Sequence, residues 1–332
     1  MALFFCFWIS QNTNSLHDLL SLRSFYYFAG VSTMSVPVAY ATIIIVWSTT
    51  PLGITWSNET LSPAAAVTTR MGIAAIIGFA LLKVFRIPMS WSTKALRTYA
   101  YSLMGIFGAM LCTYNAAQFI PSGLISVLYA FAPVLSNLFA YLLLGKGDFS
   151  ATRWVSFIIS FFGLAVICLD DWVLHQDGWI GVVLLLVAVS LHSLSGVLVQ
   201  REAYHAHPLS LTVGTLILSV PLFVTSWWFM DGELPVLDWS SESPWAVLYL
   251  AVFGSLLGFA SYFYIVRQLG ATAVAMVTLV TPVIALVLGS ILNDEAITLQ
   301  IMTGTACVLF GLVLYYRNAQ VLRMPRIRQR AG

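Results

Sequence analysis

The chain has 332 residues, of which 60% are hydrophobic and 8% are charged, and its mean hydropathy is +0.90. A soluble domain carries about 25% charged residues, so this composition excludes a water-soluble globular protein and makes lipid the expected solvent. The net charge of +2 decides little by itself, whereas the positions of the charges are informative.

Residues 1–33 come before the first convincing apolar span. The opening MALFFCFWIS is too short to cross a bilayer, and no basic stretch precedes it. The polar and then weakly amphipathic segment that follows runs up to Met34. We expect residues 1–33 to be either an interfacial lead-in or an extension upstream of the true start.

Ten apolar windows follow, each near the roughly 20 residues that a helix needs to cross a bilayer. The windows are continuous rather than alternating, which predicts helices. They cover about 36–56, 63–83, 97–117, 122–144, 153–170, 178–199, 209–229, 245–266, 271–292 and 299–316.

The charges between these windows predict the orientation of the chain. With a cytoplasmic N-terminus, 14 of the 15 Lys and Arg residues fall on the cytoplasmic side, and the outside loops contain none but hold ten of the 13 acidic residues. Positive charge collects on the cytoplasmic side of membrane proteins. Because a wrong span count would mix the two groups, this separation supports ten spans with both termini cytoplasmic in a cell (inner) membrane.

An internal repeat relates the two halves of the chain. TYNAAQFIPSGLISVLYAFAPV (113–134) aligns with YFYIVRQLGATAVAMVTLVTPV (262–283) at a constant offset of 149 residues, and FFGLAVI (161–167) matches LFGLVLY (309–315). Each half then holds five spans, so the second half enters the membrane inverted relative to the first. Inverted repeats commonly place a transport site near the midplane of the bilayer.

These segments resemble the ten-helix, EamA-like branch of the drug/metabolite transporter superfamily. The first copy carries the resemblance in its FG, SGxxSVLxAxxPV and FxG elements, and the second copy carries it in FGSLLGFASYFYIVRQLGATAVAMVTLVTPV (253–283) and LFGLVLYY (309–316). WSTTPLG (47–53) and TTRMG (68–72) add to the resemblance, which covers about 36–316. It implies an all-α membrane protein of ten transmembrane helices in two inverted five-helix repeats, often exporting small metabolites. We assign the first repeat to 34–170, the second to 171–316 and a basic cytoplasmic tail to 317–332.

One position departs from the family pattern, in which Glu commonly follows both the fourth and the ninth helix. The second copy has Glu295, whereas the first has Lys146. A role that needs a symmetric pair of carboxylates is therefore disfavoured. Both residues fall in loops, where helix capping and solvation are the expected roles.

Arg70 is the single Lys or Arg within a predicted span, about 10 Å from its outer end at 1.5 Å per residue. A guanidinium in the membrane usually faces a cavity or a partner. Two interpretations stay open. The side chain binds a substrate carboxylate or phosphate through paired hydrogen bonds, or it holds helix-end carbonyls or reaches the outer surface. Because related transporters with different substrates share this arginine, the resemblance favours architecture or gating.

Five further side chains are candidates for the cavity wall. His192 is the single histidine within a predicted span, and the repeat places it opposite Trp47; it either responds to a proton gradient or is a neutral histidine bonded to a neighbour. Tyr114 and Asn115 lie in the third span and Tyr262 in the eighth. Polar groups of this kind either line a cavity or bond neighbouring helices.

Pro133 and Pro282 occupy equivalent places in the fourth and ninth spans. A proline within a helix removes a backbone donor and produces a kink at a defined depth. We therefore expect kinks beside the central cavity at both positions, which serve either as hinges or only for packing.

The sequence favours a secondary transporter, an exporter or exchanger of small polar or amphipathic metabolites such as amino acids. The alternatives are an intramembrane enzyme, for which no nucleophile–base pair or metal cluster is evident, and a non-transporting receptor. No cofactor, metal site or nucleic-acid partner is expected; the partners are a small metabolite and the lipid bilayer. The sequence leaves the oligomeric state and the substrate open.

Overall fold

A computed structural model describes residues 35–145, 150–169, 177–202, 204, 206–233, 238–274, 277–278 and 280–317. These residues form helices, and within them there is no β-strand. The expected lead-in of 1–33 lies outside the described residues, as do Lys146 and the basic tail beyond Arg317.

The helices of the first half are α1 Val36–Ser57, α2 Pro63–Val84, α3 Thr93–Leu103, the π-helix π1 Met104–Gly108, α4 Ala109–Ala116, α5 Ser122–Tyr129, α6 Ala132–Leu144 and α7 Ala151–Cys168. Those of the second half are α8 Gly178–Glu202, α9 Pro208–Met230, α10 Ser243–Tyr249, the π-helix π2 Leu250–Leu257, α11 Gly258–Leu269, α12 Ala271–Val274, α13 Thr281–Leu292 and α14 Leu299–Arg317.

These elements correspond to the ten predicted spans. Seven helical stretches, the interrupted fourth span included, are long and apolar enough to cross a membrane, and the ninth and tenth spans contain shorter apolar helices. The third span consists of α3, π1 and α4, the fourth of α5 and α6, and the eighth of α10, π2 and α11. The protein is thus an all-α membrane protein whose ten spans form two inverted five-helix repeats.

Serine caps fix where several spans begin. The hydroxyls of Ser35, Ser62 and Ser92 accept hydrogen bonds from backbone N–H groups three residues later, at 3.4, 3.2 and 3.3 Å. Such caps satisfy donors that the first helical turn leaves unpaired. Pro63 follows its serine directly, where the missing N–H of a proline costs nothing because that position has no helical partner.

The two repeat-related prolines lie in the first turn of a new helical segment, just after a short interruption of the helical backbone. Helix α5 ends at Tyr129 and α6 begins at Ala132, which places Pro133 in the first turn of α6. Pro282 likewise lies in the first turn of α13. This position accommodates a proline well because the first turn needs no N–H from it; whether the spans also bend there stays a prediction.

Neighbouring spans donate hydrogen bonds to two carbonyl groups in the first turn of α6. The Ser193 hydroxyl donates to the Ala132 carbonyl at 3.2 Å, and the Tyr315 hydroxyl donates to the Pro133 carbonyl at 3.4 Å. These bonds fix the first turn of α6 against the sixth and tenth spans, in a bilayer core that offers no water to polar groups.

Glycines allow the closest contacts between spans. The fifth and tenth spans pack along Gly163 and Gly304. A Cβ on either glycine would lie 2.6 Å from the carbonyl oxygen of the other. In the bundle, a Cβ at Gly78 would lie 2.6 Å from Val213. Small residues at these positions bring helices together in a membrane, where apolar surface alone gives no preference for another helix over lipid.

Candidate functional site

A cavity lies between the two repeats at the helix breaks of the fourth and ninth spans. Its volume is about 20 Å³, which accommodates about one water molecule. The wall is formed by Trp47, Tyr129, Ala132, Ser136, His192, Tyr262, Ala271, Val274 and Thr278. The first, fourth, sixth, eighth and ninth spans therefore all contribute, so both repeats build one site.

Aromatic rings dominate this wall. The His192 ring lies 4.9 Å from that of Tyr262, 5.7 Å from that of Trp47 and 6.0 Å from that of Tyr129, measured between centroids. Trp47 and Tyr262 are 5.7 Å apart. Edge-to-face and tilted contacts at these distances are favourable, and three of the predicted residues, Trp47, His192 and Tyr262, come together here.

His192 packs against the first π-helix. Its side chain is 8% exposed, and Nδ1 has no hydrogen-bond partner among the described residues. A Cβ on Gly105 would lie 3.7 Å from that nitrogen and 2.9 Å from the Ser195 hydroxyl. The absence of a side chain at Gly105 thus lets the sixth span approach π1 closely.

Trp47 has an equivalent environment in the other repeat. A Cβ on Gly258, where π2 passes into α11, would lie 3.6 Å from Nε1 of Trp47. The first span therefore packs on the eighth as the sixth packs on the third. The two ring nitrogens that the repeat places opposite each other both face a glycine beside a π-helix, a helical form found often at functional sites.

Arg70 forms a second buried polar cluster beside π2. Its side chain is 1% exposed. Nε donates to the Ser255 hydroxyl at 2.9 Å and Nη1 donates to the Tyr114 hydroxyl at 3.2 Å. A Cβ on Gly254 would lie 2.7 Å from Nη2. The guanidinium therefore neither reaches the surface nor bonds helix-end carbonyls through these nitrogens; it joins the second, third and eighth spans.

Tyr114 and Asn115 lie apart from the cavity wall. Tyr114 is fully buried and belongs to the Arg70 cluster. Asn115 is half-buried, and its amide donates to the Leu111 carbonyl of its own helix at 2.8 Å. The structure thus separates the six predicted residues into three at the cavity, two at the arginine cluster and Asn115 beside them.

Sequence reasoning missed Tyr129, Ser136 and Thr278 in the cavity wall and Ser255 as a partner of Arg70. The repeat contained one signal for them, because Tyr129 and Thr278 are related by the offset of 149 residues that relates Pro133 to Pro282. The Tyr129 hydroxyl bonds the Thr113 hydroxyl at 2.8 Å. Thr113 directly precedes Tyr114, the hydrogen-bond partner of Arg70, on α4, so Tyr129 connects the two clusters.

Titratable groups at the ends of the bundle are perturbed by burial. Burial, followed by the positive charge of Arg267, lowers the pKa of His207, whose neutral Nδ1 accepts the Leu209 N–H at 3.2 Å at the start of α9. At the opposite end, burial and then the charge of Glu242 raise the pKa of Glu59.

Within the described ranges, no three His, Cys, Asp or Glu side chains converge to hold a metal ion.

Comparison with known proteins identifies the family. The model of the EamA-like transporter family matches residues 35–169 and again residues 179–317. The chain belongs to the EamA-like transporter family. The two matches fall on the two five-span halves, as expected for a duplicated member of this family.

Relatives of this EamA-like chain are named as transporters. It is 26% identical over 300 residues to the uncharacterized transporter YvbV of Bacillus subtilis, covering 86% of this chain and 93% of that one. It is 24% identical over 274 residues to the uncharacterized inner membrane transporter YedA of Escherichia coli, covering 82% and 87%. A solved crystal structure at 16% identity superposes with a TM-score of 0.64 over 86% of this chain and 98% of the other, which supports the fold.

The protein is therefore a multi-pass integral membrane protein of a transporter family. Its cavity and arginine cluster are two of the places in the described bundle where polar side chains from both repeats meet. The EamA-like fold explains this arrangement, because related spans of the inverted repeats approach one another near the middle of the membrane.

Proposed function

We propose that this EamA-like protein moves small polar or amphipathic metabolites, such as amino acids, across the inner membrane by alternating access around the aromatic cavity. The observation that carries the proposal is the wall itself, to which both repeats contribute. A rocking motion of one repeat against the other would open such a cavity first to one side and then to the other. The charge distribution supports cytoplasmic termini, and the family resemblance supports transport as an exporter or exchanger.

The cavity must enlarge before it accepts such a substrate. Its volume of about 20 Å³ is far below the roughly 300 Å³ or more of ordinary ligand pockets. The cavity can enlarge only if the helical segments that carry its wall can move apart. The helix breaks at Ala130–Phe131 and before Thr281 lie beside the wall and supply such elements, so Pro133 and Pro282 mark proposed hinges.

Each side chain of the wall has a proposed role. The rings of Trp47, Tyr262 and His192 would contact the apolar or cationic part of a substrate. Ser136 and Thr278 offer hydroxyl groups for its polar part. Arg70 and Tyr114 would act in gating rather than in substrate contact. Asn115, on the third span, remains a proposed contributor to the cavity.

Flux in proteoliposomes tests this proposal. Labelled amino acids and other small metabolites would be loaded, and exit would be followed for wild type and Tyr262→Ala. We expect the variant to raise KM about tenfold, since a buried aromatic contact contributes about 0.5–1.5 kcal/mol beyond its area. Tyr264→Ala, two residues along the same helix and half-buried, is the matched control with KM unchanged. Wild-type protein that folds and moves no member of a broad panel would contradict the proposal.

A further inference from the structure

The two ends of the cavity are held by different helix caps. The offset of 149 residues that relates the repeats pairs Ser122 with Ala271, the first residues of α5 and α12. Each of these residues has its backbone N–H bonded by a side chain from elsewhere in the bundle. Equivalent positions of an inverted repeat lie at opposite membrane faces, so one cap belongs to each gate.

A carboxylate closes the first of these ends, which we name the Glu295 end. Oε1 of Glu295 accepts the Ser122 N–H at 2.9 Å, and Oε2 accepts the Gly123 N–H at 3.1 Å. The amide of Asn293 donates to Oε1 at 3.0 Å and accepts from Nε1 of Trp56 at 3.1 Å. The loop after the ninth span is thereby tied to the first and fourth spans.

An amide closes the other, the Gln200 end. Oε1 of Gln200 accepts the Ala271 N–H at 3.1 Å, and Gln200 is exposed whereas Glu295 is half-buried. A hydrogen bond that involves an ionised group is roughly twice as strong as one between neutral groups. The Glu295 end therefore has the stronger cap, with a charged acceptor and two backbone donors instead of a neutral acceptor and one.

The residue before each cap adds to this difference. Pro121 precedes α5 with φ −58°, the angle at which its ring holds the backbone. The equivalent residue before α12 is Gly270, with φ +88°, a conformation open to glycine but strained for other residues. A Cβ at Gly270 would lie 3.0 Å from the Gln200 amide nitrogen. The Glu295 end thus begins from a fixed backbone and the Gln200 end from a flexible one.

Side chains are also packed more closely around the Glu295 cap than around the Gln200 cap. At the Glu295 end a Cβ on Gly123 would lie 2.6 Å from the Leu286 side chain, and a Cβ on Gly289 would overlap the Glu295 carboxylate. At the Gln200 end a cavity of about 100 Å³ remains, with Gln200, Tyr204, Phe263 and Arg267 in its wall. The end with the carboxylate is closely packed, and the end with the amide is open.

We propose that Glu295 and Gln200 are the latches of the two gates, and that the carboxylate latch is the stronger one, so that the resting protein keeps its Glu295 end shut. This inference rests on the proposed alternating access. Opening the Glu295 end requires the charged acceptor to leave two N–H groups, whereas opening the Gln200 end requires a neutral amide to leave one. Replacement of the first-copy carboxylate by Lys146 thus leaves the two gates unequal.

Thiol labelling measures this bias without any substrate. Ser136→Cys, in the cavity wall, is the reporter in a chain whose four native cysteines are replaced, and a membrane-impermeant maleimide is applied to right-side-out or inverted vesicles. We expect Glu295→Gln to speed labelling through the Glu295 end about fivefold, the difference between a charge-assisted and a neutral hydrogen bond. Asp294→Asn, the neighbouring exposed carboxylate, is the matched control and should leave the rate unchanged.

Variants of the other latch give signed predictions. Gln200→Glu strengthens the weaker latch and should also speed labelling through the Glu295 end, whereas Gln200→Ala should slow it and speed labelling through the Gln200 end. If Glu295→Gln fails to fold, Gln200→Glu decides the matter on its own. Unchanged or slower labelling through the Glu295 end in folded Glu295→Gln or Gln200→Glu protein overturns the proposal. Labelling that shifts as expected in a protein without metabolite flux would uphold the latches while refuting the proposed transport.

Discussion

Two buried ionisable side chains lie against the two π-helices, and their surroundings differ. Arg70 packs on π2, with two of its nitrogens bonded to Ser255 and Tyr114. His192 packs near π1 among aromatic rings, and its Nδ1 has no hydrogen-bond partner in the described part of the chain. Arg70 thus joins helices through hydrogen bonds, whereas His192 faces the cavity.

This difference assigns different roles to the two clusters: the arginine cluster supports the bundle, and the cavity wall is a surface for ligand contact. Taking a charge out of water is costly and is offset only when hydrogen bonds satisfy it; Arg70 has such bonds to groups of its own chain, and a substrate would have to break them. The ring faces at the cavity need no such partner and are available for contact with a ligand. We therefore expect substitutions at the arginine cluster to affect stability and gating, and those at the cavity to affect substrate affinity.

The largest predicted effect is that of Arg70→Lys. A lysine keeps the charge but lacks the planar fork that reaches two hydroxyls, so Tyr114 or Ser255 loses its partner. We expect the free energy of unfolding in detergent to fall by about 2–4 kcal/mol and the maximal flux to fall with it, at unchanged KM. Thermal unfolding and proteoliposome flux measure the two quantities.

Arg97→Lys is the control for that substitution. The Arg97 side chain is 61% exposed and lies 3.6 Å from the Glu202 carboxylate, and an ion pair with a solvent-exposed arginine at this distance contributes about 1 kcal/mol or less. If Arg70→Lys instead raises KM and leaves stability intact, Arg70 binds the substrate, and the distinction between the two clusters fails.

A smaller effect tests whether the clusters act independently. Tyr129 lies in the cavity wall and bonds Thr113, which directly precedes Tyr114, the partner of Arg70. A double-mutant cycle of Tyr129→Phe and Ser255→Ala should therefore show a coupling energy of about 0.5–1 kcal/mol in the flux constants, above the error for independent sites. Strict additivity would mean that Tyr129 transmits nothing between the two clusters. Thr225→Ala, whose hydroxyl bonds its own helix at the Pro221 carbonyl, replaces Ser255→Ala in the control cycle.

The sequence predicted the ten spans, the inverted repeat and the pairing of Trp47 with His192, because apolar length and the repeat offset carry that information directly. It did not predict that Tyr114 bonds Arg70 or that Gln200 caps α12. Spans of this chain are apolar on every side, so periodicity does not indicate which face of a helix is buried or which neighbour it meets. The helix breaks beside Pro133 and Pro282 needed knowledge of the surrounding spans, since a proline alone is compatible with a kink or a new helix start.

The smallest predicted effect uses a histidine outside the spans as the reference for His192. Burial and the charge of Arg267 lower the pKa of His207, so the folded protein favours the neutral ring. The unfolded chain binds a proton near its ordinary pKa of about 6.5, and stability should fall as the pH drops through that value. His207→Asn keeps an N-cap acceptor without titrating, and thermal unfolding between about pH 7.5 and 5.5 should show a shallower loss of stability than in wild type.

In flux assays with a pH gradient, His207→Asn is the matched control for His192→Ala. A gradient response that survives His207→Asn and disappears in His192→Ala would assign proton sensitivity to the cavity, whereas loss in both would move it to the end of the bundle.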